Sequence, residues 1–309
     1  MLRNMTRIAI TGASGKFGRQ VAQRLLERVD PGDLILITRR PGALGELADR
    51  GVAVREGDFD RPDALPSAFA GAERALIIST LSVGRRHEQH GAAIAAAAAA
   101  GVRHVVYTSS GGIDPDNPAI VIPDHLRTEE ILKASGLAWT ILRDSLYAES
   151  VVLKMAPRAL GIGQWVAATG EGRLAPVSQA DCVEVAACVL TADGHEHRTY
   201  ELTGPELVSM RDVAQLASEL TGRHLEYVPI DDATLDGLLA DAGIPFEYTE
   251  GMSTPSQGAA SRRDITSYER GIREGYFAVL SEDVAGMLGR PPRSLRSVFL
   301  DHMDALVAA

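Results

Sequence analysis

The chain has 309 residues, enough for one large α/β domain or two unequal ones with an ample core. Its formal net charge of −10 lacks the basic footprint of a protein that grips nucleic-acid phosphates. No apolar run is long enough to span a bilayer, and residues 1–7 lack the apolar core and cleavage site of a signal peptide, so a cytoplasmic protein is expected, with neither nucleic acid nor membrane as partner.

The first predicted strand, residues 7–11, runs into Gly12-Ala13-Ser14-Gly15-Lys16-Phe17-Gly18 and then an amphipathic helix over 17–29. A strand, three glycines and a helix make a dinucleotide-binding turn. Gly12 permits the tight exit from the strand, Gly15 lets backbone approach a pyrophosphate, and Gly18 lets the helix pack closely on the strand. Peptide N–H groups at the helix start then face the phosphates. Further strands are predicted at 34–38, 52–55, 75–79, 104–109 and 139–143, alternating with helical segments. Nearly all-apolar strands such as Ala75-Leu76-Ile77-Ile78 imply burial on both faces. The pattern predicts a doubly wound parallel Rossmann sheet with a smaller C-terminal α/β region, ligands gathering at the carboxyl ends of the strands. The alanine-rich run 92–100 reads as a packed helix.

Beyond Ser150 the alternation loosens, which divides the chain into a dinucleotide-binding part, 1–153 with 175–203 returning to it, and a substrate-binding part with a lid, 154–309. A helix near 180–190 and a strand at 199–203 belong to the returning piece. Ser209 is the predicted N-cap of a helix through Leu220, with Asp212 in the capping-box position. Helices follow at 233–242 and 294–306, and the Gly-, Ser-, Thr- and Pro-rich stretch 249–263 reads as a long loop over the cleft. Cys182 and Cys188 read as reduced core residues, and no His or Cys cluster has metal-ligand spacing, so no metal is expected.

A dinucleotide fold selective for NAD places an acidic residue about 20 residues past the glycines, on the ribose hydroxyl. That count reaches Thr38, followed by Arg39 and Arg40. A guanidinium there suits a 2′-phosphate, which predicts NADP(H) over NAD(H), with Arg39 as the main contact. Asp58 after the third strand is a candidate for the adenine side, Ser79 and Thr80 for the pyrophosphate and ribose, and Phe59 and Ser109 are further candidate cofactor contacts.

No tyrosine has a lysine at the fourth following position, so the usual Tyr/Lys proton relay of ketone reduction is missing. In the region where it would stand are His125 and Glu129, four apart and on one helix face, where a carboxylate can orient an imidazole or hold it protonated.

The glycine turn, the stretch Val83-Gly84-Arg85-Arg86-His87-Glu88-Gln89-His90, the strand Val105-Val106-Tyr107-Thr108-Ser109-Ser110, the His125/Glu129 segment and Thr140-Ile141-Leu142-Arg143-Asp144-Ser145-Leu146-Tyr147 together resemble the NmrA-like, atypical short-chain dehydrogenase group. Within it the chain is most similar to the NAD(P)H:quinone oxidoreductase type 2 enzymes. The resemblance covers about 6–235, returns near 287–291 and is poor over 245–280. It implies NADPH in the cleft and two-electron reduction of a quinone or similar flat conjugated aromatic acceptor, a class that the related triphenylmethane-dye reductases widen. Asp144 and Leu146 depart from the Asn and Trp usual there, while Tyr147 is retained as a residue that can stack on or hydrogen-bond an aromatic substrate. Such an acceptor is already electrophilic, so positioning and one proton donor suffice, and His125 or ordered water is the expected acid, with Glu129 orienting it. Two other readings come with the resemblance: a non-catalytic NAD(P) redox sensor that binds a regulatory protein, and a tailoring oxidoreductase for polycyclic aromatic polyketides. Assembly as a homodimer is compatible with each.

Overall fold

The apolar runs read from the sequence become strands because both of their faces are covered. The computed structural model describes residues 6–247 and 261–307. In chain order the described strands are β1 (Ile8–Ile10), β2 (Leu34–Thr38), β3 (Ala53–Glu56), β4 (Arg74–Ile77), β5 (His104–Ser110), β6 (Ala138–Asp144), β7 (Gln164–Ala167), β8 (Arg173–Leu174), β9 (Arg198–Leu202), β10 (Val208–Ser209) and β11 (Glu226–Pro229). Seven form one sheet in the order β3-β2-β1-β4-β5-β6-β9, and every neighbouring pair in it is parallel. This is a Rossmann-type α/β fold. The order reverses between β1 and β4, so a crevice opens at their carboxyl ends.

Helices cover both faces. On one, α1 (Lys16–Leu25) and the helix Gln179–Thr191 bury Phe17, Val21, Leu25, Val185 and Val189 against Leu36 and Leu142. On the other, α2 (Leu65–Phe69), α3 (Arg86–Ala99) and α4 (Ile122–Ala134) pack Phe69, Ile94 and Leu132 against Tyr107 and Ile141. Each large side chain so buried stabilises the fold by about 1.5–3 kcal/mol. The alanine run lets α3 lie close to its neighbours, with Ala93, Ala96 and Ala97 buried. A further cluster built from Trp165, Met210, Tyr227, Phe277 and Phe299 lies around β7, β11 and the C-terminal helices. No described helix is long and apolar enough to cross a membrane.

Most predicted boundaries fall within two residues of the observed ones, and three elements depart from the structure in a way that can be traced. The first helix stops at Leu25 instead of Val29, and the chain runs on as turns in which Arg28 N–H and Val29 N–H both bond the Leu25 carbonyl, before Pro31 holds Asp30 extended (φ −67°, ψ 142°). The single C-terminal helix is two, Leu295–Asp301 and Met303–Val307, parted at His302 (φ −118°). The expected loop 249–263 lies largely outside the described residues, but Arg262 and Arg263 open the helix Arg262–Arg273, capped by the Ser261 hydroxyl, which accepts from Asp264 N–H at 3.1 Å. At Ser209 the full capping box with Asp212 forms.

Candidate functional site

The glycine turn is shaped by backbone demands. Thr11 ties the end of β1 to β4, its hydroxyl donating to the Leu76 carbonyl at 3.2 Å and accepting from Ile78 N–H at 3.1 Å. Gly12 follows at φ +60°, a conformation that favours glycine. A Cβ on Gly18 would lie 2.6 Å from the Gly12 carbonyl oxygen and 2.8 Å from Ala13 Cα, so only glycine lets α1 start this close to the strand. Gly15 and Lys16 are exposed, and Ala13 is buried with its N–H on the Ile37 carbonyl. Gly15 at the N-cap supplies no side-chain cap, and the first turn has no acidic residue, so the leading N–H groups of α1, from Lys16, Phe17 and Gly18, have no side-chain cap among the described residues. That open cradle fits the diphosphate of a dinucleotide.

Ser14 reaches across to β2, its hydroxyl 2.7 Å from that of Thr38. Arg39 and Arg40 follow at the exposed end of β2, and neither side chain pairs with a carboxylate among the described residues. A guanidinium left unpaired at this edge fits a 2′-phosphate. After β3, Asp58 accepts from Asp60 N–H at 3.1 Å, and Phe59 packs half-buried on the core. After β4, Ser79 N–H is held by the Thr108 hydroxyl at 2.9 Å and Thr80 N–H by His90 Nε2 at 3.0 Å. Ser109 faces α4, where its hydroxyl donates to Glu129 at 2.8 Å.

His125 and Glu129 stand on one face of α4 but do not pair with each other, which corrects the expected carboxylate-to-imidazole contact. Arg143 on β6 takes the carboxylate instead, Nε on Oε1 at 2.9 Å and the second guanidinium nitrogen on Oε2 at 2.8 Å, with Lys133 adding a contact at 3.3 Å. Burial pushes the Glu129 carboxyl up, and the hydrogen bonds and charge of Arg143 outweigh it, holding Glu129 below the usual carboxylate range. His125 Nε2 lies 3.1 Å from Arg86, and its Nδ1 lies 2.7 Å from the Tyr107 hydroxyl. Because a guanidinium only donates, Nε2 accepts and the ring proton sits on Nδ1, facing Tyr107. Burial, then the charge of Arg86, drives the imidazolium form of His125 well below its ordinary range. A ring so held is neutral and has no acidic proton at neutral pH. His90 continues the chain, with Nε2 accepting from Thr80 N–H and Nδ1 lying 3.1 Å from the Thr128 hydroxyl. The histidines thus link α4 to the loop after β4.

Tyr147, just beyond β6, packs against the helix that follows the glycine turn. Its ring stacks on Phe17 at 6.2 Å between centroids, and its hydroxyl donates to Asp144 Oδ2 at 2.6 Å. Asp144 Oδ1 is covered and has no partner among the described residues. Burial pushes the Asp144 carboxyl up to about 7, against the hydrogen bonds from Tyr147 and the Cys182 thiol.

From the same edge opens a cavity of about 850 Å³ whose wall begins at Leu146 and Ser150 and continues through Trp165, Met210, Leu235 and Tyr268. That volume suits a drug-sized ligand in a mostly apolar lining. Polar groups are few: Lys154 and Arg158 on the segment after β6, Asp264, Tyr268 and Glu269 on the helix Arg262–Arg273, and Ser150, Gln164 and Thr169. Glu269 accepts from Ala168 N–H at 2.5 Å, and burial pushes its carboxyl up to about 7. The predicted site residues His125, Glu129 and Tyr147 do not line this cavity, although Val121, one turn before His125, and Leu146, beside Tyr147, do.

Arg86, His90, Tyr107 and Arg143 stand in the sequence only as carriers of the resemblance, with no role of their own, and most of the cavity wall carries no sequence signal. Arg143 carried a usable signal, since an arginine inside an otherwise apolar strand must find an acid.

A family model described as NAD(P)H-binding matches residues 12–150. Quinone oxidoreductase 2 of Escherichia coli is 37% identical over 256 residues, 82% of this chain and 88% of that protein. The NAD(P)H azoreductase of Xenophilus azovorans is 28% identical over 98% of this chain and 100% of its own length. The crystal structure of the Escherichia coli NADPH-dependent quinone oxidoreductase complexed with NADPH superposes with a TM-score of 0.86 at 32% identity, covering 96% of this chain and 99% of that one. The chain belongs to the NmrA-like family of NAD(P)H-binding oxidoreductases.

Proposed function

We propose that the protein is an NADPH-dependent reductase that delivers two electrons to a quinone or similar flat conjugated aromatic acceptor. The observation that carries this reading is the position of the cavity, which starts at Leu146 and Ser150 directly after β6, at the same sheet edge as the uncapped start of α1. The names of the two relatives, a quinone oxidoreductase and an azoreductase, support the acceptor class.

In this reading Gly12, Ala13, Ser14, Gly15, Lys16, Phe17 and Gly18 hold the diphosphate and Arg39 holds the 2′-phosphate. Asp58 and Phe59 border the adenine, and Ser79 and Thr80 border the ribose. The bound dinucleotide supplies the reducing equivalent. Tyr147 positions Phe17 through its ring and the end of β6 through its hydroxyl. Ser109, His125 and Glu129 act as positioning residues, because their polar atoms are committed to one another's neighbours within the sheet and α4. The proton therefore reaches the reduced acceptor from water in the cleft and not from the His125 ring. Residues 1–153 and 175–203 serve the dinucleotide and the remainder serves the acceptor, in a cytosolic setting where Cys182 and Cys188 stay as thiols. The cavity's size favours polycyclic acceptors, which keeps the tailoring of fused aromatic rings as the narrower form of the same reading.

Oxidation of NADPH in the presence of menadione and a panel of larger quinones tests it. Consumption that depends on the quinone and is lost in Gly18→Val supports the reductase. Tight NADPH binding with no acceptor reduced overturns it in favour of a nucleotide sensor.

A further inference from the structure

One part of the cavity wall is cationic and unanswered. Lys154 and Arg158 stand four apart, across the π-helical turn Val151–Met155 and the helix Ala156–Ile162 that follows it, and both line the cavity. Both are exposed, and neither pairs with a carboxylate among the described residues. The chain has few lysines, and the others have different employment: Lys16 stands at the glycine turn, and Lys133 reaches Glu129 at 3.3 Å. Like charges one helical turn apart repel by a few tenths of a kcal/mol, so two cations on a mostly apolar wall are a cost unless an anion visits them. This occurs in a chain with 41 acidic against 31 basic residues, where cations usually find partners. The charged and titratable groups that face the cavity are these two, Asp264, Tyr268 and Glu269, and the last three all sit on the helix Arg262–Arg273. Both carboxyls are raised by burial, which weakens their competition for the two cations.

We propose that Lys154 and Arg158 form an anion subsite of the cavity, selecting acceptors whose flat reducible ring carries a carboxylate, sulfonate or phosphate ester. The subsite rests on the reductase reading for its biological sense, while its existence as a binding site is independent of turnover. The ring lies among Leu146, Trp165 and Met210, and the charged substituent meets the ammonium and guanidinium at the wall.

Trp165 lines the cavity, so quenching of tryptophan fluorescence reports binding of non-reducible probes. We compare 2-naphthoate with 2-naphthylmethanol in the wild type and in Lys154→Ala/Arg158→Ala, and in parallel the kcat/KM ratio of 1,2-naphthoquinone-4-sulfonate to 1,2-naphthoquinone. The expected result is a preference for the naphthoate of about five- to tenfold, weakened by salt and lost in the double variant, with the kinetic ratio falling in step. Equal affinities in the wild type, or a preference that survives the double substitution, overturn the subsite. A naphthoate preference that depends on Lys154 and Arg158 without reduction of either quinone sustains the subsite and removes the reductase reading.

Discussion

Two parallel hydrogen bonds join Arg143 on β6 to Glu129 on α4, at 2.9 and 2.8 Å, and bury the carboxylate so that it is 1% exposed. The pair is locked into the sheet by register: Arg143 lies opposite Ser109 on β5, and both face α4 and meet the same carboxylate. Removing the guanidinium strands a buried charge. Arg143→Met is expected to lose about 3–5 kcal/mol in urea unfolding, and the double variant Arg143→Met/Glu129→Leu to recover only part of it, because Glu201, which accepts from the third guanidinium nitrogen of Arg143 at 2.9 Å, stays stranded. A double variant no more stable than the single one would contradict this account of the pair.

At the glycine turn the close approach of α1 is the lever. Gly18→Ala places a methyl 2.6 Å from the Gly12 carbonyl oxygen, so the helix start must back away from the strand. The displacement is expected to weaken NADPH binding by about 1–3 kcal/mol by calorimetry, with the far-UV circular dichroism kept. Unchanged affinity would separate the turn from the dinucleotide.

Arg39 carries the choice of phosphate. Loss of charge-assisted hydrogen bonds in Arg39→Ala is expected to weaken NADPH by about ten- to a hundredfold while NADH changes little. Dissociation constants for both nucleotides check it, and an equal loss for the two would assign Arg39 a structural role.

Asp144 predicts a pH dependence whose sign is opposite to that of a salt-bridged carboxylate. Burial pushes its folded-state value up to about 7, so the native state keeps a proton that the unfolded chain releases near the ordinary carboxylate value. Stability from this group is present below the unfolded value and falls as pH rises to about 7, then stays flat. Asp144→Asn is expected to raise Tm at about pH 8 and to change it little at about pH 4. An equal shift at both pH values would show that the carboxyl does not titrate in this way.

The sheet was legible because its strands are short apolar runs bounded by turn residues, and the glycine turn because its spacing is a backbone requirement. The Ser209 cap was legible for the same local reason. Pairings across strands were not. A spacing of four puts His125 and Glu129 on one helix face, but Tyr107 and Arg143, which claim them, come from β5 and β6 and meet them only through sheet register. The C-terminal helix break at His302 was hidden because apolar periodicity continues on both sides of it. The cavity wall was hidden because it is gathered from segments as far apart as Val121 and Ile272.

The most direct measurement is an anaerobic single-turnover experiment in which the protein, preloaded with NADPH, is mixed with a naphthoquinone in excess. One hydroquinone is expected for each NADPH consumed, with the reaction lost in Gly18→Val; NADPH that remains bound and unconsumed at saturating quinone would overturn the reductase reading.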